Sequence, residues 1–400
     1  MVSPGELESG EEASVSRRGL ILRDSLTFLS LTLVTIALFA VTLLLFRSFA
    51  AHRTELGRRW SDRGRAALDR GHPEQAIEPF RTALSYAPGE HGYELLLAQA
   101  LAAAGHTEEA YNYFSGLWDA EPGSGPINLQ LARLAAAKKE QQAAVNFYRA
   151  SIFGTWDGDG VVRRRSVRLE LANYLLEHHD LSGARVELLV AEGNAEHDAA
   201  LDLELGHRFE EAGDQTDALE AYQKASDADP RDAAPLEAAG RLAFRMGDFA
   251  NAQRLLRRAV RVEDGEAKSG KQARESVELL RKADRILELV PSRRLSVEER
   301  VTRLLELRTI AQRRLNSCEA RPSGATAELQ EINDRWTAMM KGTTRGALLR
   351  DAGRQDELLR LVFETEAATE AKATEVCGAA TGDDALLLLL VRDPNAVERE

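Results

Sequence analysis

Six alanines set the frame of this sequence. Ala76, Ala110, Ala144, Ala184, Ala218 and Ala252 follow one another at spacings of 34, 34, 40, 34 and 34 residues. Four residues after each stands a bulky side chain: Phe80, Phe114, Tyr148, Leu188, Tyr222 and Leu256. Twelve residues before each stands a small one: Gly64, Ala98, Ala132, Ala172, Gly206 and Gly240. Glycine recurs between the two groups, at Gly71, Gly105, Gly213 and Gly247, and Pro88, Pro122 and Pro230 close three of the units. A period of about 34 residues accommodates two short helices and their turns. Residues four apart share a helical face, so each alanine makes room beside the bulky group that follows it. A helix pair of this kind keeps one apolar face open, and only the next pair can bury it.

This register resembles the tetratricopeptide repeat (TPR). Trp60 stands where the family carries a tryptophan, and the runs PEQAIEPFRTALSYAP and LGHRFEEAGDQTDALEAYQKASDADP are similar to the family's second-helix and whole-unit patterns. The resemblance covers residues 57–265. It implies six units, 57–90, 91–124, 125–158, 165–198, 199–232 and 233–265, in an all-α solenoid whose pairs form a right-handed superhelix. Six residues beyond the period fall between the third and fourth units, where Trp156 stands in place of the closing proline and Asp157-Gly158-Asp159-Gly160 follows. That stretch reads as a longer loop, since the remaining ligands of a calcium loop are missing.

In TPR proteins the first helix of each unit lines the concave groove. The resemblance therefore places Arg65, Gln99, Arg133, Asn173, His207 and Arg241, each next to a small residue, on the groove. One turn earlier on the same face stand Leu95, Leu129, Leu169 and Leu203. A polar ladder beside an apolar stripe suits an extended or helical peptide. The arginines favour an acidic or C-terminal carboxylate partner, because guanidinium pairs with carboxylate bidentately. The competing reading is that these groups satisfy one another and water while the leucines are core.

Ser25–Phe46 is a run of 22 residues without a charge. As a helix it reaches about 33 Å, enough to cross a hydrocarbon core of about 30 Å. A cleaved signal peptide has a shorter apolar stretch and a small-residue cleavage site; this run is longer and ends at Phe46-Arg47, so it reads as a single-pass transmembrane anchor. Residues 1–24 read as a disordered polar tail. Arg17, Arg18 and Arg23 precede the span, and Arg47, Arg53, Arg58 and Arg59 follow it. Counting all of them turns the body towards the cytoplasm, and counting only Arg47 and Arg53 on the far side turns it outward. Orientation stays open, with an extracytoplasmic (periplasmic) body preferred.

After Asp264 the register is lost. Gly265–Gly270 reads as a polar linker, and 266–400 as a C-terminal helical domain or cap. Helices fit Lys271–Val290, a stretch from a Ser296/Glu299 capping box to about Asn316, the Leu329, Ile332, Trp336, Met339 series, and Asp356–Thr369. Ala385–Val391 is too short to span a bilayer and reads as buried core. The two cysteines, Cys318 and Cys377, are a possible disulfide if the body faces an oxidising compartment.

Composition limits the remaining possibilities. Net charge is −12, with no basic face of the kind nucleic acids require. No GxGxxG, P-loop, G-x-S-x-G or H-E-x-x-H motif occurs, so no cofactor, metal or catalytic residue is expected and the chain reads as a non-enzyme. Glu177-His178-His179-Asp180 holds the densest set of potential ligands, but adjacent side chains on a helix point apart. Arg163-Arg164-Arg165 reads as a solvated helix start. The expected function is a membrane-anchored scaffold that binds a protein or peptide partner and assembles an envelope-associated complex, in the manner of membrane-anchored bacterial TPR proteins. The alternative is a structural protein that self-associates, as a homo-oligomer, through its C-terminal helices.

Overall fold

The computed structural model describes residues 17–193, 198–266, 271–321, 326–372 and 376–392. The described residues form eighteen helices and no strand. The chain divides into two compact units, Met1–Val167 and Arg168–Glu400, and the division falls inside α7 (Gly160–Glu177).

In the first unit, α1 (Arg17–Asp69) is a single helix of 53 residues. It contains the apolar run, which is long and apolar enough to cross a membrane and is buried nowhere within the chain. One expectation changes here. Residues 17–24 belong to the helix and not to a disordered tail, while residues 1–16 lie outside the described ones. No break separates the apolar run from the first repeat either, because the last part of α1 is itself the first helix of the first pair. After it come α2 (Pro73–Tyr86), α3 (His91–Ala103), α4 (Thr107–Ala120), α5 (Gly125–Ala137) and α6 (Gln141–Phe153). They pack as α1 with α2, α3 with α4 and α5 with α6, each pair against the next. The turns inside the first two pairs put Gly71 and Gly105 at positive φ, 75° and 87°. In the third pair Lys139 takes that conformation at φ 61°, at a cost of about 1 kcal/mol for a residue with a Cβ.

The long loop after α6 is fastened at both edges. Gly125 N–H donates to the Thr155 carbonyl at 2.9 Å, and Thr155 N–H donates to the Gly123 carbonyl at 2.8 Å. Trp156 Nε1 donates to the Ser151 carbonyl at 2.9 Å. Its indole lies so close over Gly125 that a Cβ there would stand 2.3 Å from Nε1. Trp156 thus does by packing what the closing proline does elsewhere. Arg164 donates to the Gly154 carbonyl at 3.1 Å, and Arg163 lies over the Trp156 ring at 5.9 Å. The arginine run is therefore part of the fastening, which corrects its reading as a merely solvated helix start.

The second unit continues α7 and adds α8 (Leu181–Gly193), α9 (Ala199–Glu211), α10 (Gln215–Ala228), α11 (Ala234–Arg245) and α12 (Phe249–Glu266). Gly265 and Glu266 close α12 and so are no linker; residues 267–270 lie outside the described ones. Next come α13 (Lys271–Leu289), α14 (Val297–Glu319), α15 (Ala327–Met340), α16 (Arg345–Arg350), α17 (Ala352–Ala371) and α18 (Asp383–Arg392). The helix α16 and the extra turns of α14 and α17 go beyond the expected bounds. Helix α13 faces two ways. Leu279 and Leu280 pack with the core of α9–α12, while Ile286, Leu289 and Val290 join the C-terminal core with Leu304, Leu307, Trp336 and Leu387. Arg303 of α14 donates to the Leu287 and Val290 carbonyls at 2.5 and 2.7 Å, satisfying acceptors that a helix end leaves open. Ser296 and Glu299 form the full capping box at the start of α14. Cys318 and Cys377 are joined, with Cα atoms 4.5 Å apart.

Candidate functional site

The candidate binding residues are positioned by the contact that holds each helix pair together. In the first unit Gly64 of α1 faces Phe80 of α2 so closely that a Cβ would fall 2.5 Å from the ring. In the second unit Gly206 meets Tyr222 with a clearance of 2.4 Å, and Gly240 meets Leu256 with 2.7 Å. Ala98, Ala132 and Ala172 take the same place in the other pairs and are fully buried. All six register alanines, Ala76 through Ala252, are likewise at 0% exposure. The same interhelical contact thus recurs in three pairs at the sequence period, and the corresponding alanines of the other three are buried. The fold is a tetratricopeptide-repeat-like array of helix pairs.

In a TPR pair built this way the residue after the small one turns out of the core. Arg65, Arg133 and His207 are exposed, and Gln99, Asn173 and Arg241 are half-buried. Leu95, Leu129, Leu169 and Leu203 are all half-buried. The first unit holds Arg65 on α1, Leu95 and Gln99 on α3, and Leu129 and Arg133 on α5. The second holds Leu169 and Asn173 on α7, Leu203 and His207 on α9, and Arg241 on α11. Asn173 lines a cleft of about 480 Å³ with Leu176, Glu177, His179, Leu181, Arg208 and Glu211. Its Oδ1 is buried with no hydrogen-bond partner. His207 is engaged within the fold: Tyr222 Oη lies 2.8 Å from its Nδ1. The same hydroxyl donates to Glu210 Oε2 at 2.9 Å, and Arg245 pairs with Glu210. Burial opposes the Glu210 charge, but Arg245 and the Tyr222 hydroxyl outweigh it and hold the carboxyl below its ordinary range. Burial, followed by the Glu210 hydrogen bond, pushes the Tyr222 phenol up.

Sequence reasoning missed this network. Its signal was present, since Glu210 and Arg245 lie 35 residues apart, one register step plus one. Of the histidine cluster, His178 Nδ1 sits 2.7 Å from the Tyr174 carbonyl. His179 takes the left-handed turn position at φ 62°, and Asp180 accepts from Gly183 N–H at 2.9 Å. The cluster therefore builds the turn between α7 and α8, and among the described residues no three ligand-type side chains gather.

The tight Gly206–Tyr222 contact supports a prediction. A methyl at Gly206 gains up to about 1 kcal/mol of helix propensity but overfills a site with no space, which typically costs about 1–3 kcal/mol. Gly206→Ala is expected to lose stability on balance, read as a reduced denaturation midpoint. An unchanged midpoint would show that the pair has slack.

No protein-family profile and no curated protein matches the chain. Solved structures do. PilF of Pseudomonas aeruginosa is 17% identical, with 57% of this chain and 99% of that one covered, at a TM-score of 0.39. YrrB, described as a TPR protein with an unusual peptide-binding site, is 14% identical over 50% of this chain and 97% of its own, at 0.38. PilW, a type IV pilus biogenesis factor, is 14% identical over 55% and 98%, at 0.40. Likeness at this level carries no argument about function.

Proposed function

We propose that the chain is a membrane-anchored scaffold whose first-helix faces bind a protein or peptide partner and help assemble an envelope-associated complex. One observation carries this reading. Out-turned Arg, Gln, Asn and His side chains stand one helical turn from half-buried leucines on successive first helices. Such a surface offers donors to a peptide backbone or carboxylate and apolar recesses to its side chains. Arg133 of the first unit presents an exposed guanidinium, and Asn173 of the second a half-buried amide whose buried oxygen has no hydrogen-bond partner. The anchor is the apolar run of α1. The body lies on the oxidising side, a reading supported by the joined Cys318 and Cys377.

The test is binding of fluorescent peptides with acidic residues and a free C-terminal carboxylate to the full chain in detergent. Each lost charge-assisted or amide contact is worth about 1.5–3 kcal/mol, about tenfold or more in Kd. The double variant Arg133→Ala, Asn173→Ala is therefore expected to bind at least tenfold more weakly. Equal binding by both proteins would remove these faces from the reading.

A further inference from the structure

Helix α1 has one packing face in its C-terminal part. Beyond the apolar run that face is Gly57, Ser61, Gly64 and Ala67, all buried. Helix α2 lies on it: Arg53 donates to the Ser85 carbonyl at 3.4 Å, Gly57 faces Tyr86, and Gly64 faces Phe80. An α-helix returns to the same direction after about 18 residues, or five turns. Counting back from Gly64 reaches Phe46 and then Phe28. Phe39 and Phe49 lie within about 60° of that direction. Every phenylalanine between Ser25 and Phe49 is thus on this one side. Between them on the same side stand Thr32, Thr35 and Thr42. The opposite side carries Leu26, Ser30, Leu33, Ala37 and Leu44.

Lipid chains are equivalent all round a helix and give no reason for such sorting. Steps of four and three residues along the stripe average 3.5, the period at which helices pack on one another. The threonine hydroxyls are already bonded to carbonyls one turn back, Thr32 to Phe28 and Thr35 to Leu31 at 2.8 Å and Thr42 to Leu38 at 2.7 Å. They therefore tolerate an apolar surrounding and leave low recesses between the aromatic rings, of the kind that membrane helix interfaces use for close approach.

We propose that the Phe/Thr side of α1 docks a transmembrane helix of a different membrane protein, one that ends at the headgroup layer. This rests on reading α1 as a membrane anchor. The occupant is set by what lies above it. From about Arg53 onward α2 covers the same face, about 10 Å past the end of the apolar run. A second copy of α1 would continue as one helix to Asp69 and run into α2. The partner presents small side chains opposite Phe28, Phe39 and Phe46 and bulkier ones opposite Thr32, Thr35 and Thr42.

The experiment uses the full chain in the membranes of the cell that makes it, with a photoreactive phenylalanine analogue placed singly at Phe28, Phe39, Phe46, Leu33, Ala37 or Leu44. Discrete adducts are expected from the three phenylalanine positions, attached to a transmembrane peptide of another protein, with at least several-fold less from the other three. The double variant Thr35→Leu, Thr42→Leu should lower the Phe39 adduct several-fold. Adducts spread evenly round the helix, no adducts from membrane-embedded protein, or adducts to a second copy each overturn the docking proposal and leave the anchor standing. Release of the chain from membranes by alkaline extraction overturns the anchor reading, and the docking with it.

Discussion

Replacing Cys318 by serine is expected to destabilise the C-terminal helices by about 4 kcal/mol, the loop-closure value for a cross-link spanning about 60 residues. The two cysteines are 59 residues apart, so the unfolded chain would regain considerable freedom without the bond. Both are buried, at 0% and 1% exposure, and no surface change offsets the loss. The loop carrying Cys377 is held by arginines as well: Arg314 donates to the Gly378 carbonyl at 2.5 Å and Arg321 to the Val376 carbonyl at 2.8 Å. Those bonds do not involve the sulfurs and remain in the variant, so the variant should fold with a lowered denaturation midpoint. Thiol titration of the unreduced, denatured wild type should find no free thiol. Two reactive thiols together with an unchanged midpoint in Cys318→Ser would remove both the bond and the assignment of the body to an oxidising compartment.

The second large effect concerns Glu366 of α17. It is fully buried, and neither carboxyl oxygen has a hydrogen-bond partner. Burial first, then Asp384 of α18, push its pKa up to about 8, against the opposing pull of Arg314 of α14; Glu370 on its own helix adds to the rise. Asp384 is raised by burial as well. An acid whose folded pKa lies above its unfolded value favours the folded state when protonated. The contribution of Glu366 is present in full below about pH 4.5 and is lost as pH rises towards 8. A tenfold difference in proton affinity between the folded and unfolded chain corresponds to about 1.4 kcal/mol. Glu366→Gln is therefore expected to be more stable than wild type at pH 8 by roughly 2–5 kcal/mol. Near pH 4.5 the two should nearly coincide. Denaturation across that range checks the sign, and equal slopes for both proteins would show that Glu366 ionises freely.

The repeat is legible in the sequence because its signal is redundant. A small residue, a buried alanine and a bulky residue recur together, and each is required by the same contact, as Gly64, Ala76 and Phe80 show. The C-terminal helices are legible only where a cap or an apolar series marks them, as at Ser296 and along Leu329 to Met339. Helix α16 has six residues, too few for any period to show. The candidate site is half legible. A position beside a small residue indicates that a side chain leaves the core, but not whether the fold already engages it, and His207 is engaged by Tyr222 across the pair. The Trp156 fastening is hidden because its partner, Gly125, lies at the opposite end of the same unit in sequence and is informative only once the indole is seen above it. The start of α1 is hidden too, because residues 17–24 carry four charges in eight positions and directly follow a Ser/Glu/Gly-rich stretch, so they read as part of the tail and not of the adjoining apolar helix.

The two-faced α13 has a consequence for how this protein can change over time. Arrays of this type usually grow or shrink by duplicating or losing a whole pair. Here the helix that would receive a seventh pair already contributes Ile286, Leu289 and Val290 to another core. An added pair at that end would have to uproot those side chains, so the copy number on that side is fixed by a neighbour and not by the repeats themselves.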